Sequence, residues 1–231
     1  MNQMAISHQM IEFPGPAGLL MGYMAQPKSA GPYPGVVIIH ENQGLTPHIQ
    51  DVARRMAQEG FVVLAPDALS LQGGTPADGA QAIELIKDLA DDANVATFQA
   101  GVDYLKTHAD CQGKVGSVGF CWGGRTSGLL AVASQNLDAG VIYYGKSPAS
   151  EQVPQITCPM LMHYGAEDAA INATVPDFEA ALQAAGKAYT KHEYAGAGHA
   201  FNNDTRADRY HAGAAAESWP RTVAFLRDTL G

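Results

Sequence analysis

The chain has 231 residues, of which 46% are hydrophobic and 16% are charged. This composition excludes intrinsic disorder, which requires low hydrophobicity and high charge, and a coiled coil, which is far richer in charge. Lys and Arg total 14 against 23 for Asp and Glu, so the formal net charge is −9. Because there is no run of basic residues, the chain is not expected to bind nucleic acid or an anionic membrane.

No apolar stretch approaches the roughly 18 residues of a membrane-spanning helix. The first residues lack the basic and apolar regions of a signal peptide. The 3 cysteines are too few for a disulfide framework. The sequence therefore predicts a single cytoplasmic domain over residues 1–231, a monomer or small homo-oligomer with no membrane partner.

Short apolar runs alternate with helical patterns along the chain. In chain order, the predicted strands are 8–13, 19–25, 36–40, 61–65, 114–120, 138–144, 159–164 and 189–194. Five helical regions are predicted. The first begins at Thr46-Pro47, the second spans 79–105 with a break near 91–94, and the third follows Trp122. The fourth ends at Gly186, and the last spans 208–230.

This alternation predicts an α/β fold, with a mostly parallel sheet and helices on both faces. The first two strands have no helix between them, which predicts an antiparallel hairpin at the sheet edge. Reactive groups are expected at the carboxyl ends of the parallel strands.

The sharpest local signal is Gly119-Phe120-Cys121-Trp122-Gly123-Gly124, between a predicted strand and a predicted helix. This is a G-x-nucleophile-x-G turn with cysteine as the nucleophile. Glycines leave room for such a strained turn, and the positive end of the helix favours a thiolate. The alternative is that Cys121 is an inert, buried cysteine.

A cysteine nucleophile needs a base, and the base needs an acid to orient it. In a fold with this turn, the chain order is nucleophile, acid and histidine. Asp168 lies just past the strand 159–164; Glu167 is its competitor, and Ile171 favours Asp168 because it is placed to close the loop. His199 lies among glycines after the last predicted strand, where the base is expected.

The segment His40-Glu41-Asn42-Gln43-Gly44 follows the strand 36–40. The loop at this position and the residue after the nucleophile each supply an N–H to an oxyanion hole, which predicts Asn42 and Trp122 as the donors. Gly44 stands where a zinc motif would place its second histidine, and no metal or other cofactor is predicted. Glu41 is expected to face the sulfur and raise its pKa, or else to cap a helix or pair with an arginine.

The segments HENQG (40–44), GFCWGG (119–124), HYGAEDAAI (163–171) and AGHAFNN (197–203) resemble the dienelactone hydrolase (carboxymethylenebutenolidase) family of α/β-hydrolases. The resemblance covers nearly the whole chain. It implies an α/β-hydrolase fold and a triad of Cys121, Asp168 and His199. It also implies that Glu41 holds the resting thiol.

Members of this family that act on dienelactone hold the substrate carboxylate with two arginines. Asn203 stands at one of these positions, and the segment 65–100, where the other is expected, contains no arginine. These departures weigh against dienelactone itself as the substrate. Candidate substrate contacts are Phe120, Tyr144, Lys146 and Asn203, although the aromatic residues could equally belong to the core.

The sequence thus predicts a hydrolase of small esters or lactones that works through a covalent thioester without a cofactor. Two alternatives stay open. The same site could hydrolyse phosphotriesters, or the fold could serve as a non-enzymatic module that binds a ligand or senses oxidants through its thiol.

Overall fold

The β-branched runs of the sequence form the centre of a sheet in the computed structural model, which describes residues 4–231. The described strands are β1 (Ile6–Gly15), β2 (Gly18–Pro27), β3 (Tyr33–Ile39), β4 (Val62–Pro66), β5 (Cys111–Phe120), β6 (Ala139–Tyr143), β7 (Met160–Gly165) and β8 (Tyr189–Tyr194). Their order in the sheet is β1-β2-β4-β3-β5-β6-β7-β8.

The hairpin of β1 and β2 is antiparallel and joins the sheet through an antiparallel pairing of β2 with β4. Every other pairing between the described strands is parallel. The predicted fold class, a mostly parallel sheet with an antiparallel edge hairpin, is therefore confirmed.

Helices cover both faces of the sheet, as predicted. They are α1 (Pro47–Gln58), α2 (Gly79–Lys87), α3 (Asp91–Lys106), α4 (Trp122–Ala133), α5 (Ala169–Asn172), α6 (Val175–Ala184) and α7 (Ala212–Leu230). Alternate residues of β3 point to opposite faces: Val36 and Ile38 lie on the face covered by α1 and α7, whereas Val37 and Ile39 lie on the face covered by α3 and α4. No helix within residues 4–231 combines the length and apolarity needed to cross a membrane.

The long helical region breaks earlier than the sequence suggested. α2 ends at Lys87 with Asp88 as its C-cap, and Asp91 and Asp92 lie instead in the first turn of α3. Acidic side chains at this position interact favourably with the positive end of a helix. Two carboxylates near a predicted break therefore marked the start of a helix.

The last helix begins at Ala212, not at 208. The His211 side chain caps it by accepting a hydrogen bond from the Ala214 N–H at 3.1 Å. The preceding residues form turns in which Asp208 pairs with Arg206 at 3.1 Å. A loop therefore occupies 208–211 beside the carboxyl end of the sheet.

Candidate active site

Cys121 occupies the sharp turn between β5 and α4. Its φ of 56° and ψ of −115° lie in a region that non-glycine residues rarely adopt. The Cys121 N–H donates to the Tyr143 carbonyl at 3.0 Å, which ties the turn to the neighbouring strand β6. The strained backbone thus places this side chain at the carboxyl end of the central strands.

Two glycines make the turn sterically possible. A Cβ on Gly119 would overlap the carbonyl of Gly123. A Cβ on Gly123 would overlap the carbonyls of Ile39 and His40 at the end of β3. The start of α4 therefore packs backbone to backbone against the loop that follows β3.

The Cys121 sulfur lies 3.0 Å from His199 Nε2, and His199 Nδ1 lies 2.6 Å from Asp168 Oδ2. Asp168 is only 8% exposed and follows β7, whereas its competitor Glu167 is exposed. The loop after β8 turns His199 toward the sulfur with the help of a positive φ of 63° at Ala200. The structure brings the three predicted side chains into one hydrogen-bonded series.

The thiol of Cys121 is held neutral. Burial, together with the negative charge of Glu41, raises the pKa of Cys121 to about 12. The Trp122 backbone N–H and the charge of Arg209 act in the opposite direction but do not offset this rise. The thiolate expected from the helix N-terminus alone is therefore not the resting form.

Glu41 lies near the sulfur without bonding to it. Its Oε2 accepts a hydrogen bond of 2.7 Å from Asn203 Nδ2, and its Oε1 has no hydrogen-bond partner among the described residues. Burial raises the pKa of Glu41, against the influence of Asn203 and His199. The resemblance implied that this carboxylate holds the thiol; in the structure the sulfur bonds to His199, and Glu41 affects it through charge.

The two predicted oxyanion donors flank this site. Neither the Asn42 N–H nor the Trp122 N–H donates to a backbone carbonyl within residues 4–231. The Trp122 N–H lies beside the Cys121 sulfur, where it lowers the thiol pKa. Both N–H groups can therefore donate a hydrogen bond to a new acceptor.

Two predicted substrate contacts have other roles in the structure. Phe120 is fully buried and stacks on Tyr143 with ring centroids 4.8 Å apart, so it belongs to the core. Asn203 is 4% exposed and its amide is used by Glu41, so it supports the carboxylate. Lys146 is exposed two residues after Tyr144, and its contact with substrate stays a prediction.

Tyr144 does border the site. It is fully buried with a positive φ of 38°, and its ring edge lies against His199 with centroids 5.3 Å apart. Its hydroxyl has no hydrogen-bond partner within the described chain. Burial and the charge of Glu41 raise the pKa of Tyr144 well above its usual value, so this hydroxyl keeps its proton.

A sequence profile of the Dienelactone hydrolase family matches residues 20–230. The chain belongs to the dienelactone hydrolase family. Its members are hydrolases, so membership indicates that this protein is an esterase-type hydrolase with a small-molecule substrate.

Individual members support the assignment. A candidate carboxymethylenebutenolidase of Methylorubrum extorquens is 33% identical over 94% of this chain and 79% of its own length. A candidate dienelactone hydrolase of Klebsiella pneumoniae has a TM-score of 0.88 at 33% identity, covering 96% of this chain and 99% of the other. The dienelactone hydrolase-like promiscuous phosphotriesterase P91, from metagenomic libraries, shares the fold with a TM-score of 0.87 at 24% identity, covering 98% and 100% of the two chains.

In this member of the dienelactone hydrolase family, a cleft of about 560 Å³ borders Asp168 and His199. Its outer wall includes Arg209, Tyr210 and His211. This wall was not predicted, because residues 208–211 were assigned to the first turn of the last helix. No cluster of three or more His, Cys, Asp or Glu side chains within residues 4–231 is arranged to hold a metal ion.

Proposed function

We propose that this protein hydrolyses small esters or lactones with Cys121 as the nucleophile, His199 as the base and Asp168 as its orienter. The observation that carries the proposal is the series of hydrogen bonds from Asp168 through His199 to the sulfur, 2.6 and 3.0 Å long. Membership of a hydrolase family supports the reaction class. The proposed reaction uses no cofactor.

The hydrogen bonds define where the proton starts. A carboxylate can only accept, so Asp168 accepts from His199 Nδ1–H. His199 Nε2 is then unprotonated and accepts from the thiol of Cys121. This tautomer is the one that a general base requires.

The first half-reaction forms a thioester. As the Cys121 sulfur attacks the carbonyl carbon, its proton passes to His199 Nε2, and the carbonyl oxygen becomes an oxyanion between the N–H groups of Asn42 and Trp122. The tetrahedral intermediate then collapses as the C–O bond breaks. The leaving alkoxide takes the proton from His199.

Water completes the cycle. His199 accepts a proton from a water molecule, whose oxygen attacks the thioester carbon. The second tetrahedral intermediate releases the carboxylic acid as the C–S bond breaks, and the sulfur recovers its proton from His199. The enzyme thereby returns to its starting protonation state.

The high thiol pKa makes the base essential. With a pKa of about 12, only about one molecule in ten thousand would carry a free thiolate at pH 8. Attack therefore proceeds with proton transfer to His199, and not from a preformed thiolate.

The test is hydrolysis of 4-nitrophenyl acetate by the wild type and by Cys121→Ala. We expect kcat/KM to fall by at least about 1,000-fold in the variant. The matched control is Cys111→Ala, which removes another partly exposed thiol at the start of β5 and should leave the rate unchanged. Equal turnover by Cys121→Ala and wild type would refute the nucleophile assignment.

A phosphotriester is the nearest alternative substrate, because attack on phosphorus also builds negative charge on oxygen. The fold neighbour P91 is itself a promiscuous phosphotriesterase. Diethyl 4-nitrophenyl phosphate and 4-nitrophenyl acetate share a leaving group, so their ratio of kcat/KM isolates the electrophile. We expect the acetate to be preferred by at least roughly tenfold; preference for the phosphate would reassign the substrate class.

A thiol sensor is the second alternative. A sensor alkylates quickly at neutral pH because its cysteine is a thiolate. The raised pKa of Cys121 predicts slow reaction with iodoacetamide at pH 7.5, slower than that of free cysteine. Rapid alkylation without ester hydrolysis would favour the sensor.

A further inference from the structure

We propose that His40 is a positioning residue that holds the oxyanion hole in place. This inference rests on the proposed function of Cys121, because an oxyanion forms only if that sulfur attacks a carbonyl. His40 follows β3 and is fully buried, and the reaction steps above assign it no task.

Two hydrogen bonds fix the tautomer of His40. The Ala68 N–H lies 3.1 Å from His40 Nε2, and a backbone N–H can only donate, so Nε2 carries no proton. The proton is therefore on Nδ1, which lies 2.7 Å from the Glu41 carbonyl and donates to it. Burial also lowers the pKa of His40, which favours this neutral form.

The Glu41 carbonyl and the Asn42 N–H belong to one peptide unit. In a planar trans peptide these two groups point in opposite directions, so fixing one fixes the other. The Gly44 N–H donates to the same carbonyl at 3.1 Å. Rotation of this peptide would leave two donors without an acceptor, one of them on a fully buried ring.

The same imidazole also contacts the second donor residue. Its ring is nearly parallel to the Trp122 indole, with an interplanar angle of 11° and centroids 5.3 Å apart. One buried side chain thus contacts Trp122 and the peptide unit that carries the Asn42 N–H, the two places from which the oxyanion is proposed to be bound. The hydrogen bond orients Asn42, and the stacking fixes the start of α4.

Two substitutions separate these contacts. His40→Phe keeps an aromatic ring against Trp122 but removes both hydrogen bonds. His40→Asn places an amide N–H near the position of Nδ1 and loses the stacking. With 4-nitrophenyl acetate, we expect kcat to fall about 100-fold in His40→Phe with KM unchanged, the size of effect seen when an oxyanion donor is lost, and by less than about tenfold in His40→Asn.

Two further readouts exclude a merely structural effect. Alkylation of Cys121 by iodoacetamide forms no oxyanion, so its rate should be the same in His40→Phe and wild type. A trifluoromethyl ketone forms a hemithioketal oxyanion on a cysteine, so its affinity should fall in parallel with kcat/KM. If His40→Phe is poorly folded by circular dichroism, His40→Gln, whose amide reaches toward Nε2 instead of Nδ1, replaces it with the same expectations.

The outcomes distinguish the two proposals. A wild-type kcat in His40→Phe, or equal losses in kcat and in alkylation rate, would overturn the role of His40. Failure of Cys121→Ala to lose activity would instead overturn the proposed nucleophile. A selective loss of kcat and inhibitor affinity, restored by asparagine, is the result that supports positioning.

Discussion

Cys121 and Cys158 have similarly raised thiol pKa values but lie in regions with different surroundings. Burial raises the pKa of Cys158 to about 12, and burial with the charge of Glu41 raises that of Cys121 to about 12. Cys158 precedes β7 and packs in the apolar core. Cys121 occupies a strained turn, and its sulfur lies 3.0 Å from His199 Nε2. The pKa of the resting thiol therefore does not distinguish the proposed nucleophile from a core cysteine; a base within hydrogen-bonding distance of the sulfur does.

Removal of the base tests this contrast with the largest expected effect. We expect His199→Gln to lower kcat/KM for 4-nitrophenyl acetate by at least about 1,000-fold, because a neutral thiol is a poor nucleophile without proton transfer. His192→Gln is the matched control, since His192 lies on β8 outside the site. Comparable activity of the two variants would show that the imidazole near the sulfur is dispensable.

The strained turn offers the next largest effect. We expect Gly119→Ala to lower the free energy of unfolding by about 3 kcal/mol or more, because the new methyl group overlaps the Gly123 carbonyl. Gly213→Ala, in the first turn of α7, meets only ordinary contacts and should be neutral or slightly stabilising. Urea unfolding of both variants measures the difference, and an undisturbed Gly119→Ala would contradict the packing described for the turn.

The buried side chain of His163 predicts that the protein loses stability in acid. Burial holds its pKa well below the usual value, and Tyr194 and Thr222 bond to its ring at 2.8 and 3.0 Å. Below about pH 6.5, His163 binds a proton in the unfolded chain but stays neutral in the folded chain. The free energy of unfolding therefore falls by up to about 1.4 kcal/mol for each pH unit as pH decreases. Urea unfolding between pH 7.5 and 5 measures how the free energy of unfolding changes with pH. This change should be smaller in His163→Gln than in wild type, and equal changes would exclude His163 as a cause.

The charge of Glu41 gives the smallest effect. Because that charge raises the pKa of Cys121, Glu41→Gln should lower it and accelerate alkylation of Cys121 by roughly fivefold at pH 8. Cys158, which Glu41 does not influence, is the internal control in the same digest. Unchanged alkylation of Cys121 would mean that burial alone sets its acidity.

Local sequence was sufficient for the fold and for the cysteine turn. Gly119 and Gly123 are required by clashes between residues close in sequence, so a short motif records them. The boundaries of α7 were less predictable, because the cap by His211 replaces the expected first turn.

Contacts between distant loops could not be predicted. Asn203 and Glu41 are 162 positions apart, and nothing in either segment specifies that the amide binds the carboxylate. The choice between Asp168 and Glu167 depends on side-chain direction after β7. The tautomer of His40 depends on an N–H of Ala68 in another loop.

The proposed nucleophile is tested most directly by trapping the covalent intermediate. Wild-type protein mixed with 4-nitrophenyl acetate is quenched in acid within the first turnover, digested and analysed by mass spectrometry. We predict an acetyl group on the peptide that carries Cys121, removable by hydroxylamine as a thioester, and none on the peptides that carry Cys111 or Cys158. An acetyl group on a different residue during turnover, with Cys121 unmodified, would contradict the proposed mechanism.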